Sequence, residues 1–81
     1  MKSLTIKIDL DEPYSSVNLK IRHTLAETIE ERNIGEVWNQ GMGENYMDVS
    51  LDIVPSEEKE QEIKSILQSL NLLEKAEFIY E

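Results

Sequence analysis

Apolar residues alternate from the start of the chain. Leu4, Ile6, Ile8 and Leu10 fall on one side of an extended backbone, and Thr5, Lys7 and Asp9 on the other. Period two predicts a half-buried strand. Asp11-Glu12-Pro13 ends it, because proline cannot continue a central ladder. The period then changes. Val17, Ile21, Leu25 and Ile29 recur every four residues with Thr28 inside the stripe, which places them on one face of a helix over 16–31. Ser15 or Ser16 is suited to its N-cap, and Asn33, which tolerates the left-handed conformation, to its end.

The second half repeats the sequence of elements. Ile34 to Gln40, with Val37 and Trp38 in the middle, predicts a strand weakened by Gly35. Gly41-Met42-Gly43 is a hairpin signal. The next strand is strong: Met47, Val49, Leu51 and Ile53 alternate with Tyr46, Asp48, Ser50 and Asp52. Pro55-Ser56-Glu57-Glu58 opens a second helix, with Ser56 as cap and acids where the helix dipole favours them. Ile63, Ile66, Leu67 and Leu70 supply its buried face, and Asn71 its end. Leu72 to Tyr80 closes the chain as an edge strand with Ala76, Phe78 and Tyr80 on one side. The order is β-α-β-β-α-β. Right-handed crossovers in two such halves give an α+β, ferredoxin-like plait, with a four-stranded antiparallel sheet in the order 4-1-3-2 and two helices on one face. The two cleanest alternators, the first and third strands, are the two that this order makes central. Residues 1–81 are read as a single domain.

Composition then narrows the function. Seventeen acids against eight Lys and Arg give a net charge of −9, which argues against nucleic acid as a direct partner. The absence of cysteine excludes disulfides, thiol catalysis and cysteine-type zinc sites. No apolar run approaches the ~20 residues that span a bilayer and no signal peptide is evident, so no membrane role and a cytoplasmic location are expected.

The side of the sheet away from the helices carries the candidate chemistry. With Met47, Val49, Leu51 and Ile53 turned inward, Tyr46, Asp48, Ser50 and Asp52 turn outward. A hairpin centred on Met42 sets Gln40 opposite Glu44, Trp38 opposite Tyr46 and Glu36 opposite Asp48, and turns Val37 inward against Met47. Directly opposite residues share a face. Thr5, Lys7 and Asp9 join it, with Asp9 near Asp48. Three readings follow. The face is solvated, as on many antiparallel sheets. It is a protein-binding surface, with Trp38 and Tyr46 as anchors and Glu36, Asp48, Asp52 and Asp9 offering charge to a basic protein partner. Or Asp9, Glu36 and Asp48 hold a divalent cation, since oxygen ligands suit magnesium or calcium. The second is preferred, with no metal and no cofactor.

Other features add less. His23, the sole histidine, falls on the outer face of the first helix with Leu19 and Ala26, a small patch suited to a homodimer. Gly41-Met42-Gly43 joins two strands, so no helix N-terminus waits behind it for a phosphate. With one histidine and no companion nucleophile, no catalytic residue is expected.

The size, acidity, lack of cysteine and binding-type face resemble small, acidic bacterial immunity proteins, which neutralise a toxin. That resemblance implies a non-catalytic inhibitor whose acidic face blocks a basic groove. Asp9-Leu10-Asp11-Glu12-Pro13 also resembles the first loop of ACT regulatory domains, although Tyr14 stands where their glycine follows the proline. This second likeness implies a homodimer binding an amino acid through Asp11 to Ser16.

Overall fold

The computed structural model describes residues 1–11 and 16–81. The elements are β1 (Lys2–Asp9), α1 (Ser16–Glu31), β2 (Glu36–Met42), β3 (Tyr46–Ile53), α2 (Glu57–Ser69), a short 3-10 helix (Leu73–Lys75) and β4 (Ala76–Tyr80). The four strands form one antiparallel sheet in the order β2-β3-β1-β4. The architecture is α+β and consistent with a ferredoxin-like arrangement. Of the two N-caps expected for α1, Ser16 is the first residue of the helix, and Ser15, like Glu12, Pro13 and Tyr14 of the first loop, lies outside the described residues.

One apolar cluster holds the elements together. Leu4, Ile6 and Ile8 of β1 and Met47, Val49, Leu51 and Ile53 of β3 are buried with Leu25, Ala26 and Ile29 of α1 and Ile63, Ile66 and Leu67 of α2. Both helices therefore bury their apolar stripes against the same face of the sheet. On α1 the stripe is rotated from its expected position. Val17 is 63% exposed, and Ala26, expected on the outer face beside His23, is 2% exposed. The expected Leu19-His23-Ala26 patch is therefore divided between the two sides of α1.

Both helices end in the same way. Asn33 and Asn71 have positive φ, 55° and 60°. The amide of Ile34 donates to Ile29 O at 3.1 Å and that of Asn33 to Glu30 O at 3.1 Å. Leu72 and Asn71 repeat the pair toward Leu67 O at 2.8 Å and Gln68 O at 3.0 Å. These are Schellman closures, with an asparagine in the left-handed position and a buried apolar residue after it. This explains why Ile34 and Leu72, each expected to open a strand, instead lie buried before β2 and β4. At the other end of α2, Ser56 Oγ accepts from the Lys59 amide at 3.1 Å, the expected N-cap.

The β2–β3 hairpin departs from the expected register. Gly41 and Met42 belong to β2, and the turn falls at Glu44-Asn45, closed by the Gly43 amide on Tyr46 O at 2.8 Å and tied to the end of β1 by the Leu10 amide on Asn45 O at 2.8 Å. Met42 pairs with Met47, Gly41 with Asp48, Gln40 with Val49 and Asn39 with Ser50. A bulge then intervenes, after which Val37 pairs with Leu51 and Glu36 with Asp52. Val37 does turn toward the helices, but against Leu51 rather than Met47. Trp38 is the extra residue at the bulge.

Candidate functional site

The cross-strand register defines the residues of the sheet face away from the helices. Thr5 lies between Ser50 and Ile79, and Lys7 between Asp48 and Glu77. Asp9 lies opposite Tyr46, and Ser3 opposite Asp52, which faces Glu36 on its other side. At the centre Thr5 Oγ1 and Ser50 Oγ share a hydrogen bond of 3.0 Å. Around that small polar centre stand five acids, Asp9, Glu36, Asp48, Asp52 and Glu77, with Lys7 among them.

Lys7 and Tyr46 make a second defined contact on this face. The Lys7 ammonium lies 4.9 Å from the Tyr46 ring centroid, a cation–π distance. Gly41 and Gly43 make room beside it. A Cβ at position 41 would stand 2.7 Å from an Asp48 carboxylate oxygen, and a Cβ at position 43 would collide with the Tyr46 ring. The Gly-Met-Gly run is therefore not the turn that its composition suggests. Its two glycines lie flat so that Asp48 and Tyr46 can lean across the edge strand.

The six residues expected to form a binding site are divided between two ends of the face. Trp38 is 59% exposed and Tyr46 37%, but they are not a cross-strand pair. Trp38 stands beside Leu51 and Ser50, and Tyr46 is about 13 Å further along β3, four residues at about 3.3 Å each. Glu36 likewise opposes Asp52, not Asp48. Asp48 faces Lys7 instead, and Asp9 faces Tyr46 with Lys7 preceding it on β1. The turn is the physical reason. Moving it from Met42 to Glu44-Asn45 slides β2 along β3, and the bulge at Trp38 shifts the remainder by one residue. One end thus carries Trp38, Glu36 and Asp52, and the other Tyr46, Lys7, Asp48 and Asp9.

The same separation removes the expected cation site, since Glu36 is carried away from Asp9 and Asp48. Among the described residues no three metal-ligating side chains come together. His23 is exposed as expected, and its Nε2 lies 2.9 Å from Glu27 Oε1 one turn along α1. Of the loop expected to serve an amino acid, Asp11 is described, and it pairs with Lys75 at 2.6 Å.

Sequence reasoning missed two features. Arg22 is half-buried on the helix side of the sheet, and its Nη1 donates to Gly41 O at 3.1 Å, linking α1 to β2. Its Nε is buried without a partner, as is Gln40 Oε1 on the same strand. The apolar periodicity of α1 hid Arg22, since it sits at the position after Ile21 in the stripe. The other is Tyr80. Burial raises its phenol above the usual 10.0, reinforced by the charge of the neighbouring Glu60 carboxylate and its hydrogen bond.

Comparison with known protein families and with curated proteins finds no match for this sequence. No helix among the described residues is long and apolar enough to cross a membrane.

Proposed function

We propose that this chain is a ferredoxin-like, non-catalytic binding module for a basic protein, acting through the acidic face of its sheet. The observation that carries this reading is the end of the face at which Glu36 and Asp52 oppose each other beside the exposed Trp38. Like charges directly opposite each other destabilise a sheet. A lysine or arginine inserted between them relieves that repulsion and stacks its stem on the indole. An aromatic anchor next to unneutralised charge is the composition of a protein-recognition patch. The concrete form of the proposal is an immunity or inhibitor protein, in which the acidic face occupies the basic groove of a toxin or comparable partner.

The test is capture from the native lysate at low and at high salt, read by mass spectrometry, with Trp38→Ala/Asp52→Lys as the control. A basic protein held by the wild type, lost from the double variant and released by salt supports the proposal. Capture that ignores salt and both substitutions refutes it.

A further inference from the structure

The two edges of the sheet are unlike. β2 is interrupted by the bulge between Val37 and Asn39, a device that keeps an edge from pairing with another chain. β4 is Ala-Glu-Phe-Ile-Tyr, with neither proline nor bulge, and it pairs with β1 in unbroken register. Its Ile79 and Tyr80 are 38% and 37% exposed.

The backbone of β4 identifies which groups face outward. The Glu81 amide donates to Ser3 O at 2.9 Å. In an antiparallel ladder hydrogen-bonded pairs recur every second residue, so Ile79 and Glu77 also turn their amides and carbonyls toward β1. Ala76, Phe78 and Tyr80 turn theirs away from the sheet. The Ala76 amide is taken by Leu73 O. The amide and carbonyl of Phe78 and of Tyr80 have no backbone partner among the described residues.

We propose that β4 pairs with β4 of a second copy of this chain, joining two sheets into one of eight strands about a two-fold axis at Phe78. The occupant and register follow from charge. With Phe78 on the axis, Phe78 faces its own copy, Ala76 faces Tyr80, Glu77 faces Ile79 and Lys75 faces Glu81. The outward groups of 76, 78 and 80 are then the ones brought together. No acid opposes an acid, an aromatic pair sits at the centre, and a lysine–glutamate pair closes each end. Sliding the pairing so that Ile79 lies on the axis sets Glu77 against Glu81 at both ends. Sliding it the other way sets Glu77 against Glu77. Lys75 is part-exposed while it holds Asp11, so in the dimer it stands between Asp11 of its own chain and Glu81 of the copy. This edge is the one away from β2, whose Glu36 and Trp38 belong to the end of the face proposed to bind a basic partner, and it responds to salt in the opposite direction. Each chain carries −9, so screening strengthens self-association while weakening capture of a cation-rich protein.

The experiment is sedimentation equilibrium of the purified chain across micromolar to millimolar concentration at about 0.15 M salt, where the Debye length is about 8 Å. It is combined with hydrogen exchange of individual amides at the lowest and highest concentrations. The expected result is a reversible dimer that protects the Phe78 and Tyr80 amides as concentration rises. Glu81→Lys weakens it about tenfold, and Lys75→Glu/Glu81→Lys restores it. The variants change exposed side chains, and circular dichroism verifies that each folds. A monomer at every concentration overturns the proposal. So does a dimer whose Phe78 and Tyr80 amides exchange at the monomer's rate, or one in which the double variant fails to recover.

Discussion

Glu36 and Asp52 face each other directly across the β2–β3 ladder. Neutralising one should stabilise the free protein. Asp52→Asn or Glu36→Gln is expected to add roughly 0.2–1 kcal/mol in urea denaturation, and the double variant to gain little beyond either single one. Asp48→Asn, the substitution that a hairpin centred on Met42 would favour, should instead lower stability by less than about 1 kcal/mol, because Asp48 lies across from Lys7. The contrast between the two aspartates tests the register.

The position of Ala26 supplies a second prediction. An alanine on a solvated helix face accepts leucine within about 0.5 kcal/mol, whereas one packed into a core loses about 1–3 kcal/mol to overpacking. Ala26→Leu is expected to fall in the second range, since Ala26 is part of the buried core. Leu51→Ala and Ile66→Ala should each cost about 2–5 kcal/mol by leaving cavities. Denaturation midpoints read all three, and a neutral Ala26→Leu would mean that α1 presents a different face to the sheet.

The glycines of β2 can be tested through the side chains that lean over them. Gly43→Ala should displace the Tyr46 ring and break its contact with Lys7. The readout is the ring-current shift of the Lys7 side-chain protons in NMR, which should move toward the value seen in Tyr46→Leu. The accompanying loss of cation–π energy is about 0.5–1 kcal/mol at such a partly exposed site.

Alkaline pH should unsettle the fold through Tyr80. Its phenol holds its proton above the usual 10.0 in the folded chain, from burial first and Glu60 second. As pH rises past 10.0 the unfolded state releases this proton before the folded state does. The folded state then binds more protons, and stability falls with pH. The contribution is fully present below 10.0 and is lost as pH rises through the raised folded value. Tyr80→Phe should flatten this part of the decline, which a series of urea titrations across that range will show.

The strands and helices were legible in the sequence because their periods are strict. β1 and β3 alternate without a break, so element type, facing and central placement followed together. The helix ends were legible for a similar reason: Asn33 and Asn71 are residues that accept positive φ, at the points where the apolar stripes stop. β2 was not legible at the level of register. Gly41-Met42-Gly43 has the composition of a turn, yet these glycines make lateral room for Asp48 and Tyr46, and the turn falls on Glu44-Asn45, whose composition advertises it less. The bulge at Trp38 adds one unpaired residue that no alternation of apolar and polar positions reveals. These two displacements moved every pairing assigned to Trp38, Glu36 and Tyr46. The acidic character of the face survived them, since it depends on the facing of the strands, but the neighbours of each residue did not.

The central place of β1 has a bearing on how the chain acquires its shape. β1 lies between β3 and β4, both of which follow it in the sequence, and the hydroxyls that meet at the middle of the sheet, Thr5 and Ser50, are 45 residues apart. The β2–β3 hairpin can form from neighbouring residues, whereas β1 must first close a long loop before any ladder rewards it. Until β4 arrives as well, the second side of β1 has no partner. Long-range closure therefore weighs on the folding of this sheet more than formation of the local hairpin does.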